Sequence, residues 1–306
     1  MNLLMGSTGF IGGHVVEYLF QQNEISKGAF RKGAHLKIMD LNGVQGVEAD
    51  LLDHHSLHEA VEGVDTIYSM ASPPPGATDD YRVNAEGIMN MLEVAQEMKV
   101  KTVVHLSTLD VYGFKVGEVT DSAEPRPSGA YQVSKLQADR ALLEFAKRSQ
   151  EPRIVIIRSA RAVGSRDRIL TVPLLRMVES GKVTLPESKE MSFSHPRDIA
   201  QAMYRAATGQ SPSGTVYLLK SFDAAPEMLA KGIAEALGKS VVVKRQGLMS
   251  KGQLNPYASD QLKAALTIGA QESWTKLGYA PQFGLKQTCE DIAAWYRKEP
   301  WTVEQG

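Results

Sequence analysis

Leu3-Leu4-Met5-Gly6-Ser7-Thr8-Gly9-Phe10-Ile11-Gly12 decides how the rest of the chain is read. An apolar run stops at Gly6, and a helical spacing (Ile11, Val15, Val16, Leu19) begins shortly after it. Glycines at these positions fit a strand that turns sharply into a helix. Gly6 allows the turn, Gly9 lets a pyrophosphate approach the backbone, and Gly12 lets helix and strand pack closely. The free N–H groups of the first turn, which holds Phe10 and Ile11, then face the phosphates with the positive end of the helix dipole. The spacing is G-x-x-G-x-x-G rather than G-x-G-x-x-G, and glycines alone suit a plain turn equally well. Placement at the first strand and first helix is what points to a nucleotide.

Length and composition bound the remainder. With 306 residues the chain forms one large α/β domain or two coupled ones. Its 34 Lys and Arg nearly balance its 35 Asp and Glu, so nothing directs it to nucleic acid or an anionic membrane. Cys289 is the single cysteine, which excludes a disulfide within the chain and suits a reducing cytosol. The N-terminal apolar residues are interrupted by glycine, and no run approaches membrane-spanning length. A soluble cytoplasmic protein is the expectation.

The first helix is expected from Ile11 to about Gln21, followed by a polar, basic connection over 22–34. The second strand is then Leu36-Lys37-Ile38-Met39, closed by Asp40. An acid at that place takes the adenosine ribose hydroxyls and favours NAD over NADP; an ordinary turn aspartate is the other reading. Arg31 and Lys32 lie close enough to swing in, which leaves NADP open. Val47-Glu48-Ala49 is a short third strand ending at Asp50-Leu51. Ser56-Leu57-His58-Glu59 reads as a capping box that opens a helix. This helix start separates His54 from His58, and no other histidine pair has ligand spacing, so no metal is expected. Thr66 to Met70 is a buried strand, with Ala71-Ser72 and three prolines as its stiff exit. A long helix over about 79–99 carries Asn84, and Thr102 to Leu106 is the fifth strand. Apolar strands alternating with helices specify a parallel, doubly wound sheet.

The fifth strand runs into Leu106-Ser107-Thr108-Leu109-Asp110-Val111-Tyr112-Gly113, and Tyr131-Gln132-Val133-Ser134-Lys135 opens a helix reaching about Lys147. Tyr131 and Lys135 are four apart and share one helix face. An unperturbed phenol, with a pKa of about 10, is a poor base at neutral pH. A nearby ammonium is expected to pull that pKa down. Tyr-x-x-x-Lys by itself is often a surface pair; its weight here comes from following both the glycine turn and the Ser-Thr strand end.

Together, Gly6-x-x-Gly9-x-x-Gly12, Asp40, Asp50-Leu51, Ser107-Thr108-x-x-Val111-Tyr112-Gly113 and Tyr131-x-x-x-Lys135 resemble the extended short-chain dehydrogenases/reductases, the NAD-dependent epimerase/dehydratase family. His195-Pro196-Arg197-Asp198 and Leu277-Gly278-Tyr279-Ala280-Pro281 resemble later segments of the same family, so the likeness reaches the end of the chain. It implies a doubly wound parallel Rossmann sheet with a smaller, mainly helical substrate lobe. The dinucleotide-binding part is expected at 1–165 with 190–221 returning to it, and the lobe at 166–189 and 222–306. It implies NAD as cofactor, Tyr131 as general acid/base, Lys135 on the nicotinamide ribose and Thr108 on the reacting hydroxyl. Asp50 and Leu51 are placed by the adenine, Ala71 and Ser72 by the inner ribose, and Ser107 at the cofactor; Asn84 carries over less securely.

Departures narrow the chemistry. Sugar dehydratases carry two acids after the fifth-strand threonine, where this chain has Leu109 and Asp110, and leucine cannot transfer a proton. Arg161 stands where nucleotide-sugar enzymes tend to carry asparagine. Ala71-Ser72-Pro73-Pro74-Pro75 and Gly164-Ser165-Arg166-Asp167 look more like the 3β-hydroxysteroid dehydrogenase branch. Arg158, Arg161, Arg166 and Arg168 either bind an anionic substrate group or form salt bridges on a loop. The expected function is a hydride-transferring NAD-dependent oxidoreductase, with Asp110, Arg161 and Arg166 as candidate substrate contacts. A nucleotide-sugar 4-epimerase and a non-catalytic dinucleotide sensor are the alternatives. The family's long helices pair two subunits, so a homodimer is expected, with Met89, Leu92 and Val133 as apolar positions available to it.

Overall fold

The computed structural model describes residues 1–33, 44–76, 81–115, 117–246, 253–269 and 272–300. β1 (Asn2–Met5) leads through the glycine turn into α1 (Phe10–Gln21), and β2 (Ser26–Phe30) follows. Then come β3 (Gln45–Glu48), α2 (His54–Val61), β4 (Thr66–Ser69), α3 (Arg82–Glu97) and β5 (Thr102–Thr108). A 3₁₀ turn over Leu109–Tyr112 and the short β6 (Glu118–Val119) precede α4 (Ala130–Arg148), β7 (Arg153–Ser159) and β8 (Arg161–Ala162). The chain continues through α5 (Thr171–Glu179), β9 (Lys182–Leu185), β10 (Met191–Ser194), α6 (Pro196–Thr208) and β11 (Thr215–Leu219). It closes with β12 (Phe222–Ala224), α7 (Pro226–Ala236), β13 (Val242–Arg245), α8 (Pro256–Ala264), β14 (Thr267–Ile268), α9 (Glu272–Leu277) and α10 (Leu285–Lys298).

Seven strands form one sheet in the order β11-β7-β5-β4-β1-β2-β3, with every neighbouring pair parallel. Helices cover both faces, which is why the central strands are apolar throughout rather than alternating. On one face Leu57, Ile88, Met91, Leu92 and Leu142 pack against Val103 and Ile154. On the other, Val15, Val16, Leu19, Ile199 and Met203 pack against Val104 and Val155. A third core, built from Leu174, Leu229, Ile233, Leu262 and Ile292, joins α5, α7, α8 and α10 around β9 and β10. Strand order reverses between β1 and β4, and the carboxyl ends beside that point are where doubly wound sheets bind ligands.

Two local expectations are corrected. The strand beside β1 is Ser26–Phe30, not Leu36–Met39, so the stretch taken as a basic connection contains a strand; residues 34–43, with Asp40, lie outside the described residues. The reason is steric: Gly28 and Ala29 are buried beside Leu4 and Met5, where their small side chains fit under the helices. The helix expected to open at Ser56 starts at His54, with Asp53 as its N-cap accepting from the His55 N–H. Ser56 instead donates its hydroxyl to the Asp53 carbonyl.

The glycine turn is as tight as its sequence demands. Gly6 has φ +91°, and a Cβ on Gly12 would lie 2.0 Å from the Gly6 carbonyl oxygen. Gly12→Ala is therefore expected to cost at least about 2 kcal/mol, because backbone cannot yield as a side chain can. Urea unfolding of the variant checks this; an unchanged midpoint would contradict the close approach.

Candidate active site

The turn joining β1 to α1 forms the first wall. Gly9 caps α1 in an extended conformation with no side-chain acceptor, so the first-turn N–H groups of Phe10 and Ile11 have no capping side chain. The Ser7 hydroxyl donates to the Ala29 carbonyl (2.8 Å), tying the turn to the end of β2. A Cβ on Gly6 would lie 2.8 Å from the Ala71 nitrogen, so the exits of β1 and β4 touch. Ser72 is half-buried beside them and bonds the Pro73 carbonyl. A cradle kept free of side chains at a helix N-terminus, on the switch point of the sheet, fits the pyrophosphate of a dinucleotide. Asp50 lines a cleft of about 520 Å³ next to Thr8. Its carboxylate accepts from the Leu52 N–H, while Leu51 is buried against Gly87.

The second wall is β5 and α4. Lys135 is buried, and its ammonium donates to the Leu106 carbonyl (2.8 Å) and to Nε2 of His105 (3.2 Å). Burial and the Lys135 charge hold His105 well below its usual pKa. The ring is therefore neutral, accepts at Nε2, and donates from Nδ1 to the Ser69 hydroxyl at 3.1 Å. Burial also brings Lys135 down to about 8, opposed by Asp139. One of its three ammonium donors is left for a ligand. Thr108 caps the 3₁₀ turn, accepting from the Asp110 N–H (3.2 Å), and Ser107 is buried on the same strand.

Tyr131 departs from its expectation. The ammonium does not lower its pKa; burial and the Asp110 carboxylate raise it, with Arg161 opposing. The physical reason lies in the neighbours: Lys135 is engaged at the strand, and the Tyr131 ring stands edge-on to Tyr81 and Tyr257, with centroids at 5.7 and 5.5 Å. Without ligand the phenol is thus held protonated, the form that donates a proton. Asn84 is buried and donates to the Ser134 hydroxyl (3.0 Å), which in turn donates to the Tyr131 carbonyl (2.8 Å). It supports the helix end that carries Tyr131.

The arginines resolve toward internal pairing. Arg158 is buried against Asp139 (2.8 Å) and the Tyr112 hydroxyl (2.8 Å). Arg161 pairs with Asp167 at 3.0 Å, and Arg166 with Glu17 on α1 at 3.0 Å. Asp110 is buried, accepts from the Tyr257 hydroxyl (2.7 Å) and the Gln261 amide, and is pushed up by burial. Tyr81, His105 and the α8 residues Tyr257 and Gln261 carried no signal in the sequence, because three separate parts of the chain bring them together. Asp139 had a signal that passed unused: Tyr131, Lys135 and Asp139 repeat every four residues on one helix face. His54 and His58 do share a helix, contrary to expectation, and His58 bonds Glu97 at 2.8 Å on the surface.

The glycine turn thus stands at the sheet switch point, and the same fold carries the helix-borne Tyr131 and Lys135 and the strand-end Thr108. The model of the NAD dependent epimerase/dehydratase family matches residues 2–219, and the chain belongs to that family. The sterol-4-alpha-carboxylate 3-dehydrogenase, decarboxylating, of Homo sapiens is 26% identical over 59% of this chain and 49% of its own length. The N-acetyl-alpha-D-glucosaminyl-diphospho-ditrans,octacis-undecaprenol 4-epimerase of Escherichia coli O157:H7 is 27% identical over 59% of this chain and 54% of its own. The chain thus spans about half the length of these curated relatives. A UDP-glucuronic acid 4-epimerase from Bacillus cereus, solved in complex with NAD, superposes with a TM-score of 0.81 at 21% identity, over 97% of this chain and 96% of that one. No helix among the described residues is long and apolar enough to cross a membrane.

The Lys135 shift predicts a pH signature. Its folded pKa, about 8, lies below the ordinary lysine value, so between the two the unfolded chain binds more protons. The group's unfavourable contribution is complete below pH 8 and fades as pH rises toward the unfolded value. Stability of the wild type relative to Lys135→Met should therefore rise between about pH 8 and 10. Parallel stability–pH curves for the two proteins would contradict the assigned burial.

Proposed function

We propose that the protein is an NAD-dependent oxidoreductase that moves a hydride between the nicotinamide and a secondary alcohol or ketone of a small molecule. The cofactor supplies or accepts the hydride. Tyr131 passes the proton between its phenol and the substrate oxygen, Thr108 orients that oxygen, and Lys135 uses its remaining donor on the nicotinamide ribose. Both Asp110 carboxylate oxygens accept from α8, Oδ2 from the Tyr257 hydroxyl and both from the Gln261 amide, so its role is to hold α8 over the pocket. Arg161 is the better placed of the two arginine candidates, since its charge reaches Tyr131 and Asp110. Arg166 serves as a tie to α1.

The observation that carries the choice over a nucleotide-sugar epimerase is the state of the pocket wall. Arg158, Arg161 and Arg166 each already face a carboxylate, and Tyr131 is enclosed by the rings of Tyr81 and Tyr257, with Phe114 beyond. Such a wall suits an apolar alcohol or ketone better than a diphosphate. The division proposed has 1–165 and 190–221 binding the dinucleotide and 166–189 and 222–306 closing the substrate side; the core of the first part is the cluster around Leu57, Ile88 and Val103. The single cysteine supports a cytoplasmic location.

A screen of secondary alcohols and ketones, read by absorbance of the reduced nicotinamide, tests the reading. Tyr131→Phe is expected to lose turnover by about 10²–10⁴-fold with dinucleotide affinity nearly unchanged. Thr108→Val should lose rate alone. Tightly retained dinucleotide with no net redox change would favour the epimerase, dinucleotide binding with no turnover of any substrate would favour the sensor, and near-wild-type activity of Tyr131→Phe would remove the role given to Tyr131.

A homodimer through α3 and α4 is part of the proposal. Met89 and Val133 are exposed at 43% and 40%, whereas Leu92 is fully buried in the core and is withdrawn from that surface. Light scattering at micromolar concentration should give twice the chain mass, and Met89→Lys should reduce it. A strict monomer would remove the idea.

A further inference from the structure

No metal is expected when a helix start separates His54 from His58; a start at His54 brings the two together instead. They are the first and fifth residues of α2, one turn apart on one face. Their ring centroids lie 5.2 Å from each other, with the rings tilted by 51°. Two imidazoles at this spacing can aim their nitrogens at one point, which is how a helix offers a histidine pair to zinc.

α3 lies beside α2 and presents acids at the same period. Glu93 and Glu97 stand four apart at its end. The two rows run in register: Nε2 of His54 is 3.9 Å from a Glu93 carboxylate oxygen, and Nε2 of His58 is 2.8 Å from one of Glu97. Packing beneath them fixes that register, since Leu57 and Val61 of α2 share a core with Leu92 and Ala95 of α3. The backbones are therefore held, while the polar ends reach solvent and keep their freedom to turn.

Donor atoms of His54, His58 and Glu97 all lie within 4.8 Å of one another. Zinc needs such donors at about 2.0–2.2 Å from itself, and small rotations of exposed side chains close the remaining gap. Two imidazoles and a carboxylate form a nitrogen and oxygen set that suits zinc and its neighbours late in the first transition row, not magnesium or calcium. Among the described residues neither Glu93 nor Glu97 is paired with a lysine or arginine, so no fixed cation competes for the carboxylates.

We propose that His54, His58 and Glu97 form a zinc-class transition-metal site that ties α2 to α3, with Glu93 placed for the fourth position. A metal there links the helix that follows β3 to the helix that follows β4. It stabilises the folded chain by mass action, because the unfolded chain holds no such arrangement. None of its members belongs to the glycine turn, β5 or α4, so the oxidoreductase reading stands or falls separately.

Calorimetric titration of the full chain, without a polyhistidine tag, against zinc chloride in a non-chelating buffer tests the site. A single equivalent should bind, and the melting temperature should rise with zinc. His54→Ala and His58→Ala should each weaken binding by more than the roughly 10–100-fold that follows loss of an outer-shell partner, and each should lose the zinc-dependent rise. Glu97→Gln should weaken it in the same direction. His55→Ala is the control: His55 faces Glu59 at 3.6 Å on the same helix, and its loss should change neither reading. All these side chains are exposed or half-buried, so the metal-free melting temperatures should stay close to that of the wild type. Absence of both binding heat and a melting shift at millimolar zinc would overturn the site. So would wild-type affinity in the double variant His54→Ala/His58→Ala, or an equal loss of affinity in His55→Ala.

Discussion

Everything in this molecule is arranged around one close approach, that of α1 to the end of β1. A helix can reach a strand terminus at that distance only where no side chain intervenes, which Gly12 provides. The approach places the first-turn N–H groups at the point where strand order reverses, with β2 on one side and β4 on the other. It also sets α1 against α6 on the far face, where Val15, Val16 and Leu19 meet Ile199 and Met203. An anionic cofactor and a hydrophobic core are thereby served by the same short loop. Charge favours the site, through the helix dipole and exposed donors, without a single cationic side chain in the turn.

The catalytic wall is held by a different principle, buried charge with ordered partners. Lys135, Asp139 and Arg158 are all buried, and the line continues through Tyr112. Removing water from such groups is costly, and the cost falls only when each charge has fixed partners. His105 contributes by staying neutral: a protonated imidazole would repel the ammonium it now accepts from. The wall therefore arrives before any ligand with the ammonium aimed along the strand end. The phenol of Tyr131 stands apart from this line, held protonated by burial and by the Asp110 carboxylate.

Much of the fold was legible because parallel sheets buried on both faces place adjacent apolar residues in mid-strand, as in Ile67-Tyr68 and Val103-Val104. Glycine spacing, Thr108 and the Tyr131–Lys135 pair were legible because steric exclusion and helical period act locally. β2 was hidden since Ser26-Lys27-Gly28-Ala29-Phe30 lacks β-branched residues; its strand state comes from pairing with β1 and β3, not from propensity. Leu36-Lys37-Ile38-Met39 has the stronger local pattern and drew the expectation of the second strand, while Asp40 after it lies outside the described residues. The arginine cluster was undecidable from spacing, because Glu17 and Asp139 come from other places in the chain, while Asp167 stands within the cluster among several arginines it could pair with. Tyr81 and Tyr257 had no local signal at all, being defined only by the ring they enclose.

Tyr257 and Gln261 deserve their place in the chemistry because of what they join. Both lie on α8, whose Ala258 and Leu262 pack in the third core, while their polar ends bind Asp110 at the end of the sheet's fifth strand. The substrate side of the pocket is consequently coupled to the dinucleotide side through one buried carboxyl. Asp110 in turn takes its backbone position from Thr108, which caps the same 3₁₀ turn. Thr108, Asp110 and α8 are therefore joined by hydrogen bonds and not by flexible chain, so a change at Tyr257 or Gln261 reaches the end of β5 through one buried carboxyl.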